Sequence, residues 1–480
     1  MASKGDKGLS VKKSEDFSAW YTEVIQKAEL ADLRYNVKGF LVYQPWSVLA
    51  MENIYDLLER ALQKKGHKPH WFPVVIPESN LKKESAHLKG FTPEVFWVTH
   101  GGETKLEEPL ALRPTSETAF YQMFALWLRS YKQLPMKTYQ RAQVFRYETK
   151  ATRPFLRGRE FYWIETHCLF PTKEDALKQV HEDMDTTQEV LHDKLGLPFI
   201  FFERPSWDKF PGAYRTFAAD VLNPDGKFVQ QPSTHVINQN FLEAFDVKFK
   251  DKDGTEKTPW STCYGPAVSR ILASIIITHG DDKGLRFPWS IAPLQVVFVP
   301  LSEAGEKKAH QLAKQLPEGT RYEVDLREVS AGEKFNTWEL KGVPLRIDIG
   351  DNELKEKKVS VFRRDTNKKE LIGEKGFASY VKEVAQEFDT TLTKQADAVL
   401  KGKVHEVHSI KEIKSLVEKG QVARAGFCSV GPEGADCAEK IRTQTEAQVR
   451  GTKLEGEKFS GTCVVCGDKA HHIVYIGRSY

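Results

Sequence analysis

The chain has 480 residues, which by a prior of roughly 150 residues a domain predicts about three domains. Hydrophobic residues make up 40% and charged residues 28%, so the composition excludes a disordered or collagen-like chain. A net charge of +4 is too small to indicate a dedicated nucleic-acid-binding protein, and we expect no DNA partner.

We expect neither a membrane span nor a signal peptide. The longest aliphatic run, residues 271–277, is far shorter than the roughly 20 residues that a membrane helix needs. The N-terminal residues are charged and no apolar segment follows them, which favours a cytoplasmic protein. Six cysteines are too few for a disulfide scaffold, and in a reducing compartment a clustered subset indicates a metal site.

The first 288 residues alternate helical and strand-like segments. Apolar periodicity predicts a helix at 54–64. A second, long amphipathic helix is predicted after Thr172, which would form an N-terminal capping pair with Asp175. Aromatic stretches such as residues 160–164 are typical of strands. Residues 1–288 therefore predict a large α+β domain.

Two smaller domains are predicted after this one. Residues 289–390 begin with a buried strand at 294–299, and a polar helix and a second strand follow in βαβ order, which predicts an α/β domain. Residues 391–480 contain a helical segment, a glycine-rich patch and four of the six cysteines. This last region predicts a small metal-stabilised domain.

Two segments early in the first domain are candidates for substrate contacts. Pro73 lies in a short predicted strand, where a proline indicates a sheet edge. Residues 112–118 form a proline-restricted turn that brings the hydroxyl of Thr115 and the carboxylate of Glu117 to one place. Capping of the next helix by Thr115 is the alternative for this segment.

A basic hairpin is predicted next. Phe145, Arg146 and Glu148 precede a polar loop and Arg157 follows it, and alternation on both sides predicts two antiparallel strands. Arg146 beside Glu148 suits a nucleotide, because a guanidinium matches two phosphoryl oxygens and a carboxylate accepts from an amine. A surface salt bridge is the alternative for this segment taken alone.

A glycine-containing turn, residues 263–270, ends in Arg270 at the start of the aliphatic helix 271–277. An arginine fixed at a helix N-terminus can hold a phosphate chain. A packed arginine at an ordinary helix start is the alternative.

In this order, Pro73, residues 145–148 and residues 265–270 resemble the three signature motifs of class II aminoacyl-tRNA synthetases. The Arg-Pro-Thr-Ser-Glu-Thr loop at 113–118 narrows the resemblance to prolyl-tRNA synthetases of the archaeal and eukaryotic type, along essentially the whole chain. The resemblance implies an α+β fold: an antiparallel sheet with flanking helices, an α/β anticodon-binding domain and a small zinc-binding C-terminal domain. Joint occurrence is far more specific than one motif, so it outweighs the structural alternatives.

The resemblance implies ATP-dependent ligation of L-proline to tRNA(Pro) through a prolyl-adenylate, with Mg²⁺ bridging the phosphates. Proline's carboxylate would attack the α-phosphate in line, so the site must position two anions and needs no general base. Arg146 and Arg270 would be the catalytic residues, and Phe161 would stack on adenine. The residues that the resemblance assigns to ATP are Arg146, Glu148, Arg157, Phe161, Gln230, Ser233 and Arg270.

Proline has a small apolar ring and a cationic nitrogen with two donors, so its site needs an aromatic wall and nearby acceptors. By resemblance, Thr115 and Glu117 would bind the nitrogen, and Trp163 would contact the ring. For His235 alone, a satisfied core histidine is the alternative. The residues assigned to proline are Thr115, Glu117, Arg146, Trp163, Glu165, His167, His235 and Phe91.

The chain departs from the family pattern at several positions, three of which are positions where the family has glycine. Pro232 and Asn238 stand where glycines are expected, and Ala267 occupies a glycine position of the third motif. If the two expected glycines take positive φ, asparagine can adopt that conformation and proline cannot.

We expect no editing domain in the chain. Cys168 and Thr262 bracket fewer than a hundred residues, already filled by predicted helix and strands. A methylene group contributes only about 1–3 kcal/mol of binding free energy in an apolar pocket, so a proline site would sometimes activate alanine. Any correction of that error would have to act in trans, by a separate protein.

Two features are predicted outside the first domain. Glu339 and Arg346 could read base edges of an unstacked anticodon, and solvated surface charge is the alternative. Four thiolates suit a closed, structural tetrahedral zinc site, with free buried cysteines as the alternative. The four candidate ligands are Cys428, Cys437, Cys463 and Cys466.

Class II enzymes build their dimer interface around the first motif, so the resemblance also implies a homodimer. Two other functions remain open at this point: a non-catalytic paralogue that binds tRNA or protein, and an enzyme that adenylates proline for another carrier. Retention of the four arginine and glutamate positions of the phosphate clamp argues against the first. An anticodon-type domain argues against the second.

Overall fold

A computed structural model of the chain describes residues 8–87, 94–149, 151–457 and 460–480. The N-terminal part contributes seven of the helices described: α1 (Phe17–Lys27), α2 (Pro45–Lys64), α3 (Glu78–His87), α4 (Glu117–Trp127), α5 (Lys173–Thr187), α6 (Gln239–Glu243) and α7 (Val268–His279). Its strands are β1 (Ala31–Asp32), β2 (Val42–Tyr43), β3 (Lys68–Pro69), β4 (Val75–Pro77), β5 (Trp97–Gly101), β6 (Thr104–Leu112), β7 (Met136–Phe145), β8 (Glu160–Phe170), β9 (Phe199–Glu203), β10 (Ala213–Leu222), β11 (Lys227–Ile237), β12 (Phe249–Lys250), β13 (Glu256–Lys257) and β14 (Trp260–Tyr264).

The central sheet runs in the order β9-β10-β11-β14-β8-β7-β3. All neighbours are antiparallel except β3 and β7. The predicted basic hairpin is confirmed, since β7 and β8 pair from Met136 with Leu169 to Phe145 with Glu160. This is the α+β core that the sequence predicts.

Helix α7 anchors the sheet from one side. Its aliphatic residues 271–277 are all buried, because the helix packs on β8 and β11 and against α2. Helix α5 packs on β11 and β14, and continues as a π-helix over Gln188–Lys194. Its predicted N-cap is confirmed: the Thr172 hydroxyl accepts from the backbone N–H of Asp175 at 3.2 Å.

The middle of the chain forms a separate five-stranded sheet. Its elements are β15 (Val296–Pro300), α8 (Glu303–Ala313), β16 (Tyr322–Val324), α9 (Ala331–Leu340), β17 (Leu345–Ile349), α10 (Asp351–Lys355), β18 (Lys358–Arg363), β19 (Lys368–Gly373) and α11 (Phe377–Lys401). The sheet order is β16-β15-β17-β18-β19, with β15 parallel to both β16 and β17. The predicted βαβ order is confirmed. Helix α11 continues past residue 390, where the sequence analysis places a domain boundary.

The C-terminal strands join the central sheet, which the sequence did not predict. The elements are β20 (Val404–Glu406), α12 (Ile410–Glu418), β21 (Val422–Phe427), α13 (Ala435–Thr445), β22 (Gln448–Lys453) and β23 (His472–Ser479). The order β20-β21-β23-β22-β9 extends the central sheet to eleven strands, and β23 also pairs in parallel with β11. In the part of the chain that the structure describes, no helix is both long and apolar enough to cross a bilayer.

Candidate active site

A cavity of about 550 Å³ lies against strands β8, β11 and β14 of the central sheet. Ten of the residues predicted from the sequence line it: Thr115, Glu117, Arg146, Phe161, Trp163, Glu165, Gln230, Ser233, His235 and Arg270. A smaller cavity is lined by Glu148 and Arg157 together with Arg146, Phe161 and Arg270. The two cavities share four residues, Arg146, Phe161, Ala267 and Arg270, so they form one continuous site.

Glu165 is a buried carboxylate whose hydrogen bonds come from the protein itself. It accepts from the Thr115 hydroxyl at 3.1 Å and from the Ser116 backbone N–H at 3.0 Å. The Gln140 amide donates at 2.7 Å, and His167 Nε2 lies 3.2 Å away. Burial raises the pKa of Glu165, but the His167 and Ser116 contacts outweigh it and hold the pKa at about 2. Thr115 therefore supports this carboxylate and is not the N-cap of α4.

Glu117 stands in the same cavity in a different environment. It is 2% exposed, and its carboxylate accepts a hydrogen bond from the Tyr121 hydroxyl at 3.1 Å. Burial raises the pKa of Glu117, and the nearby His167 and Tyr121 only partly offset that effect. A cationic ligand nitrogen would restore the missing charge compensation.

An aromatic wall closes the site beside these carboxylates. Trp163 packs edge-on against Phe161, with 5.7 Å between ring centroids. The Arg146 guanidinium lies 5.2 Å from the Phe161 ring and 5.8 Å from the Trp163 ring. A Cβ on Gly265 would come within 3.1 Å of the Trp163 indole, so the glycine lets the turn lie flat on that ring.

The turn before α7 is bonded to two strands. The Gly265 N–H donates to the Ser233 carbonyl at 3.1 Å, and the Ile164 N–H donates to the Pro266 carbonyl at 3.0 Å. Ala267 is the N-cap residue of α7 with φ of −81°, a conformation that needs no glycine. This geometry places Arg270 on the first turn of the helix.

Three arginines, Arg146, Arg157 and Arg270, line the smaller cavity. Arg146 donates to the Pro114 carbonyl at 3.1 Å, and Arg270 donates to the Leu156 carbonyl at 3.3 Å and to the Gln230 carbonyl at 3.2 Å. Burial, and then repulsion from Arg146 and Arg157, lowers the pKa of Arg270 to about 10. Three guanidiniums held in proximity without a matching number of carboxylates form a site for a polyanion.

The two predicted histidines occupy different positions. His235 lines the cavity, and its two ring nitrogens lie 3.0 Å from the Thr216 hydroxyl and 3.1 Å from the Ser233 hydroxyl. Burial, and then the charge of Arg204, lowers the pKa of His235 to about 3, so it is neutral. His167 is buried behind the wall against Phe120, where it contacts Glu165.

The substitutions at Pro232 and Asn238 cause no backbone conflict, since neither residue has positive φ. Ala218 pairs with Ser233 and Asp220 with Gln230, so two residues of β11 oppose one of β10. Pro232 lies in this bulge, where the missing N–H costs no ladder hydrogen bond. Asn238 has φ of −64° and is the N-cap residue of α6.

Of the predicted proline, ATP and anticodon residues in the described part of the chain, His167, Glu339 and Arg346 line neither cavity. Phe91 lies outside the described residues. Arg346 is 5% exposed and is paired with Glu339 at 2.7 Å and with Asp348 at 2.8 Å. Glu339 also binds Lys283 at 3.0 Å. Solvated surface charge therefore does not describe this pair, and reading a base with Arg346 would require breaking these contacts.

The cavity also contains residues that were not predicted as site residues from the sequence. They are Arg204, Trp207, Asp208, Lys209, Phe210, Pro211, Thr216, Phe228, Gln231, Cys263, Tyr264, Arg450, Ser479 and Tyr480, besides the motif residues Gly265 and Ala267. The aromatic, proline-rich run 204–212 has no helical or strand period, which is a signal for a functional loop. No local signal marks Arg450, because its place depends on how β22 joins the sheet.

The four C-terminal cysteines come together as predicted. One sulfur from each of Cys428, Cys437, Cys463 and Cys466 lies within 4.8 Å of the others. That separation and the all-thiolate set fit a tetrahedral zinc ion. Cys168 and Cys263 lie elsewhere, Cys168 in the core and Cys263 in the cavity wall.

Comparison with family models divides the chain among three matches. Residues 96–279 match the tRNA synthetase class II core domain (G, H, P, S and T), and residues 295–384 match an anticodon binding domain. Residues 410–480 match the C-terminal region of prolyl-tRNA synthetase.

Whole-chain comparisons agree with these matches. Proline--tRNA ligase from Thermofilum pendens is 45% identical over 99% of this chain and 100% of its own, and that from Methanopyrus kandleri is 41% identical over 97% and 96%. Among solved structures, Giardia lamblia prolyl-tRNA synthetase in complex with prolyl-adenylate has a TM-score of 0.95 and 36% identity, covering 98% of this chain and 100% of that chain. The Cryptosporidium parvum enzyme complexed with halofuginone and AMPPNP has a TM-score of 0.93 and 30% identity, covering 99% and 100%.

Proposed function

The chain belongs to the prolyl-tRNA synthetases of the archaeal and eukaryotic type, and from that premise we propose which of its residues carry each part of the reaction. It ligates L-proline to tRNA(Pro) with ATP, in two steps through a prolyl-adenylate. The matched family models include no editing domain.

Glu117 binds the cationic nitrogen of proline in this proposal. Its carboxylate has a raised pKa, because it is buried and few protein groups compensate its charge. A bound cation therefore stabilises Glu117 more than Glu165, which already accepts several hydrogen bonds from the protein. Glu165 and His167 hold Thr115 and the wall in place. Trp163 faces the apolar ring, and neutral His235 completes the pocket without competing for the carboxylate.

Arg146 and Arg270 position the two reacting anions. Arg146 is shared by the two cavities, so it can hold the α-phosphate and the proline carboxylate together, while Arg270 and Arg157 bind the departing pyrophosphate. The attack breaks the bond between the α- and β-phosphates and leaves prolyl-adenylate. Glu148 accepts from the adenine amine, Phe161 stacks on adenine, and Gln230 and Ser233 line the nucleotide side. Mg²⁺ enters with ATP and neutralises its phosphates.

The convergence of Glu117 and the arginine cluster in one continuous site is the observation that carries these roles. The test is ATP–pyrophosphate exchange on the purified chain with proline, alanine and cysteine, and with Arg146→Ala as the control. We expect proline-dependent exchange that falls at least a hundredfold in the variant, because removing a charge-assisted contact to the reacting centre costs about 3 kcal/mol or more. No exchange with any amino acid would overturn these roles and favour the non-catalytic paralogue.

A structural zinc ion is proposed at Cys428, Cys437, Cys463 and Cys466. Four protein ligands fill the tetrahedral shell, so the ion would stabilise the C-terminal region and would not contact substrate. The zinc would tie the turn after β21 and helix α13 to the loop before β23.

Four further features of the protein are proposals. A homodimer is supported by Trp71, which is 90% exposed, and by the neighbouring Val74 and Val75, since a free apolar patch of this kind marks an interface. Charging of tRNA for translation supports a cytoplasmic location. The domain limits 1–288, 289–390 and 391–480 and the anticodon role of Glu339 and Arg346 stay predictions.

A further inference from the structure

Asp220 is a fully buried carboxylate that binds two guanidiniums from distant parts of the chain. Its Oδ1 accepts from Arg204 at 2.6 Å, and its Oδ2 accepts from Arg204 at 2.9 Å and from Arg450 Nε at 2.8 Å. Asp220 lies in β10, Arg204 follows β9, and Arg450 lies in β22 of the C-terminal region. Burial raises the pKa of Asp220, but Arg204 and Arg450 outweigh it, so Asp220 stays ionised.

Arg204 continues this chain of contacts to the nucleotide side of the cavity. Its Nη2 donates to Gln230 Oε1 at 3.1 Å, and its Nη1 also donates to the Arg450 carbonyl at 2.6 Å. A guanidinium only donates, so it fixes the amide of Gln230 with the oxygen toward Arg204. The Gln230 NH₂ group is then the part offered to a ligand.

Gln230 is also held at its backbone. Its carbonyl accepts from Arg270 Nη1 at 3.2 Å. One residue thus connects the buried Asp220 cluster to Arg270, on the first turn of α7. Arg450, Arg204, Gln230 and Arg270 all line the same cavity.

We infer that Arg450 is a positioning residue for the ATP site, acting through Asp220 and Arg204 on Gln230 and Arg270. The inference rests on the proposed nucleotide role of Gln230 and Arg270. It gives the C-terminal region a function in adenylate formation as well as in stability. Arg450 on β22 orders the Gln230 amide on β11. The ATP site is therefore complete only when β22 has paired with β9.

The test is a double-mutant cycle between Arg450→Met and Gln230→Ala. The readouts are the KM values for ATP and proline and kcat in pyrophosphate exchange, and the ATP dissociation constant by calorimetry. We expect Arg450→Met to weaken ATP binding about tenfold, both in the ATP KM and in the ATP dissociation constant, as for loss of one charge-assisted contact. The proline KM should change less than about twofold. In the Gln230→Ala background the same change should weaken ATP binding less than about twofold, because the effects of substitutions at coupled residues are not additive.

Arg442→Met is the matched control, because Arg442 lies on α13 and pairs with Glu439 at the surface. It should leave both KM values unchanged. If Arg450→Met does not fold, the cycle is run with Arg450→Lys, which keeps the charge but loses the planar fork.

Equal effects of the Arg450 change in the two backgrounds, or equal shifts in the ATP and proline KM values, would overturn the inference. Failure of the proposed function is a separate result: the unmodified chain would then lack exchange, while calorimetry would still report on Arg450.

Discussion

Two carboxylates in one cavity have pKa values shifted in opposite directions because their neighbours differ. Glu165 accepts hydrogen bonds from Thr115, Ser116 and Gln140 and stays ionised with a low pKa, so it organises the wall. Glu117 has few donors around it and a raised pKa, so it gains most from a ligand cation. Environments that push two pKa values apart mark separate functions for chemically identical groups.

Replacing Glu117 by glutamine tests this division. Glu117→Gln should raise the proline KM about tenfold to a hundredfold, the effect of losing a hydrogen bond to a charged group. The ATP KM should change little. Exchange kinetics at varied proline concentration measure both values, with the exposed Glu107→Gln as a control that should behave like the unmodified chain.

The pH dependence of the same variant gives a second readout. The pKa of Glu117 is raised, so as the pH falls through it the carboxylate becomes neutral and loses its attraction for the cationic nitrogen. The proline KM of the unmodified chain should therefore rise as the pH falls, whereas that of Glu117→Gln should stay flat. Parallel curves for the two proteins would contradict the assignment.

At the scale of elements, the turn before α7 and the bulge in β11 shape the site together. The N–H of Gly265 is bonded to Ser233, and Pro232 occupies the bulge next to it. Because two strand distortions meet at this point, a proline is accommodated where the sequence pattern alone indicated a conflict.

The glycine of that turn has a measurable role. Gly265→Ala would place a Cβ 3.1 Å from the Trp163 indole, so the ring must move by a few tenths of an ångström. We expect the proline KM to rise several-fold and the free energy of unfolding to fall by about 1–3 kcal/mol, as in other overpacked sites. Kinetics and thermal unfolding measure these changes.

Gly332→Ala is the control for that substitution. A Cβ at Gly332 meets no atom within 4 Å, and the residue lies inside helix α9, so alanine should be neutral or slightly stabilising. An unchanged proline KM in Gly265→Ala would show that the indole does not set the ring pocket.

At the scale of the whole molecule, the catalytic sheet and the C-terminal strands are one sheet of eleven strands. The last residue, Tyr480, donates its hydroxyl to Asp225 and its N–H to the Phe228 carbonyl at 3.1 Å, and it lines the cavity. Loss of order at the C-terminus should therefore reach the active site.

Removal of the metal tests this continuity. Cys463→Ser should abolish stoichiometric zinc binding and lower the melting temperature, because metal binding contributes folding free energy. It should also weaken ATP binding, because Arg450 lies on β22 of the same region. Elemental analysis, thermal unfolding and exchange kinetics measure the three effects. Cys168→Ser, in the catalytic sheet, should keep the zinc. A chain that holds no zinc, or a variant that retains it, would contradict the site.

The sequence alone predicted the motifs, the two antiparallel strands, helix α7, the α/β module and the four cysteines. These follow from local periodicity, turn chemistry and spacing, which act over a few residues. Ten residues of the cavity wall were assigned by the resemblance to prolyl-tRNA synthetases, whose motifs this chain carries in order.

Only the tertiary structure decided which groups pair. Arg346, for which the sequence left base reading and solvated surface charge open, is buried and paired with Glu339 and Asp348. Arg450 was not predicted as a site residue. Pairing of β22 with β9 and of β23 with β11 joins residues more than two hundred positions apart. Such contacts depend on strand register and burial across the sheet, and neither quantity is encoded in a local window of sequence.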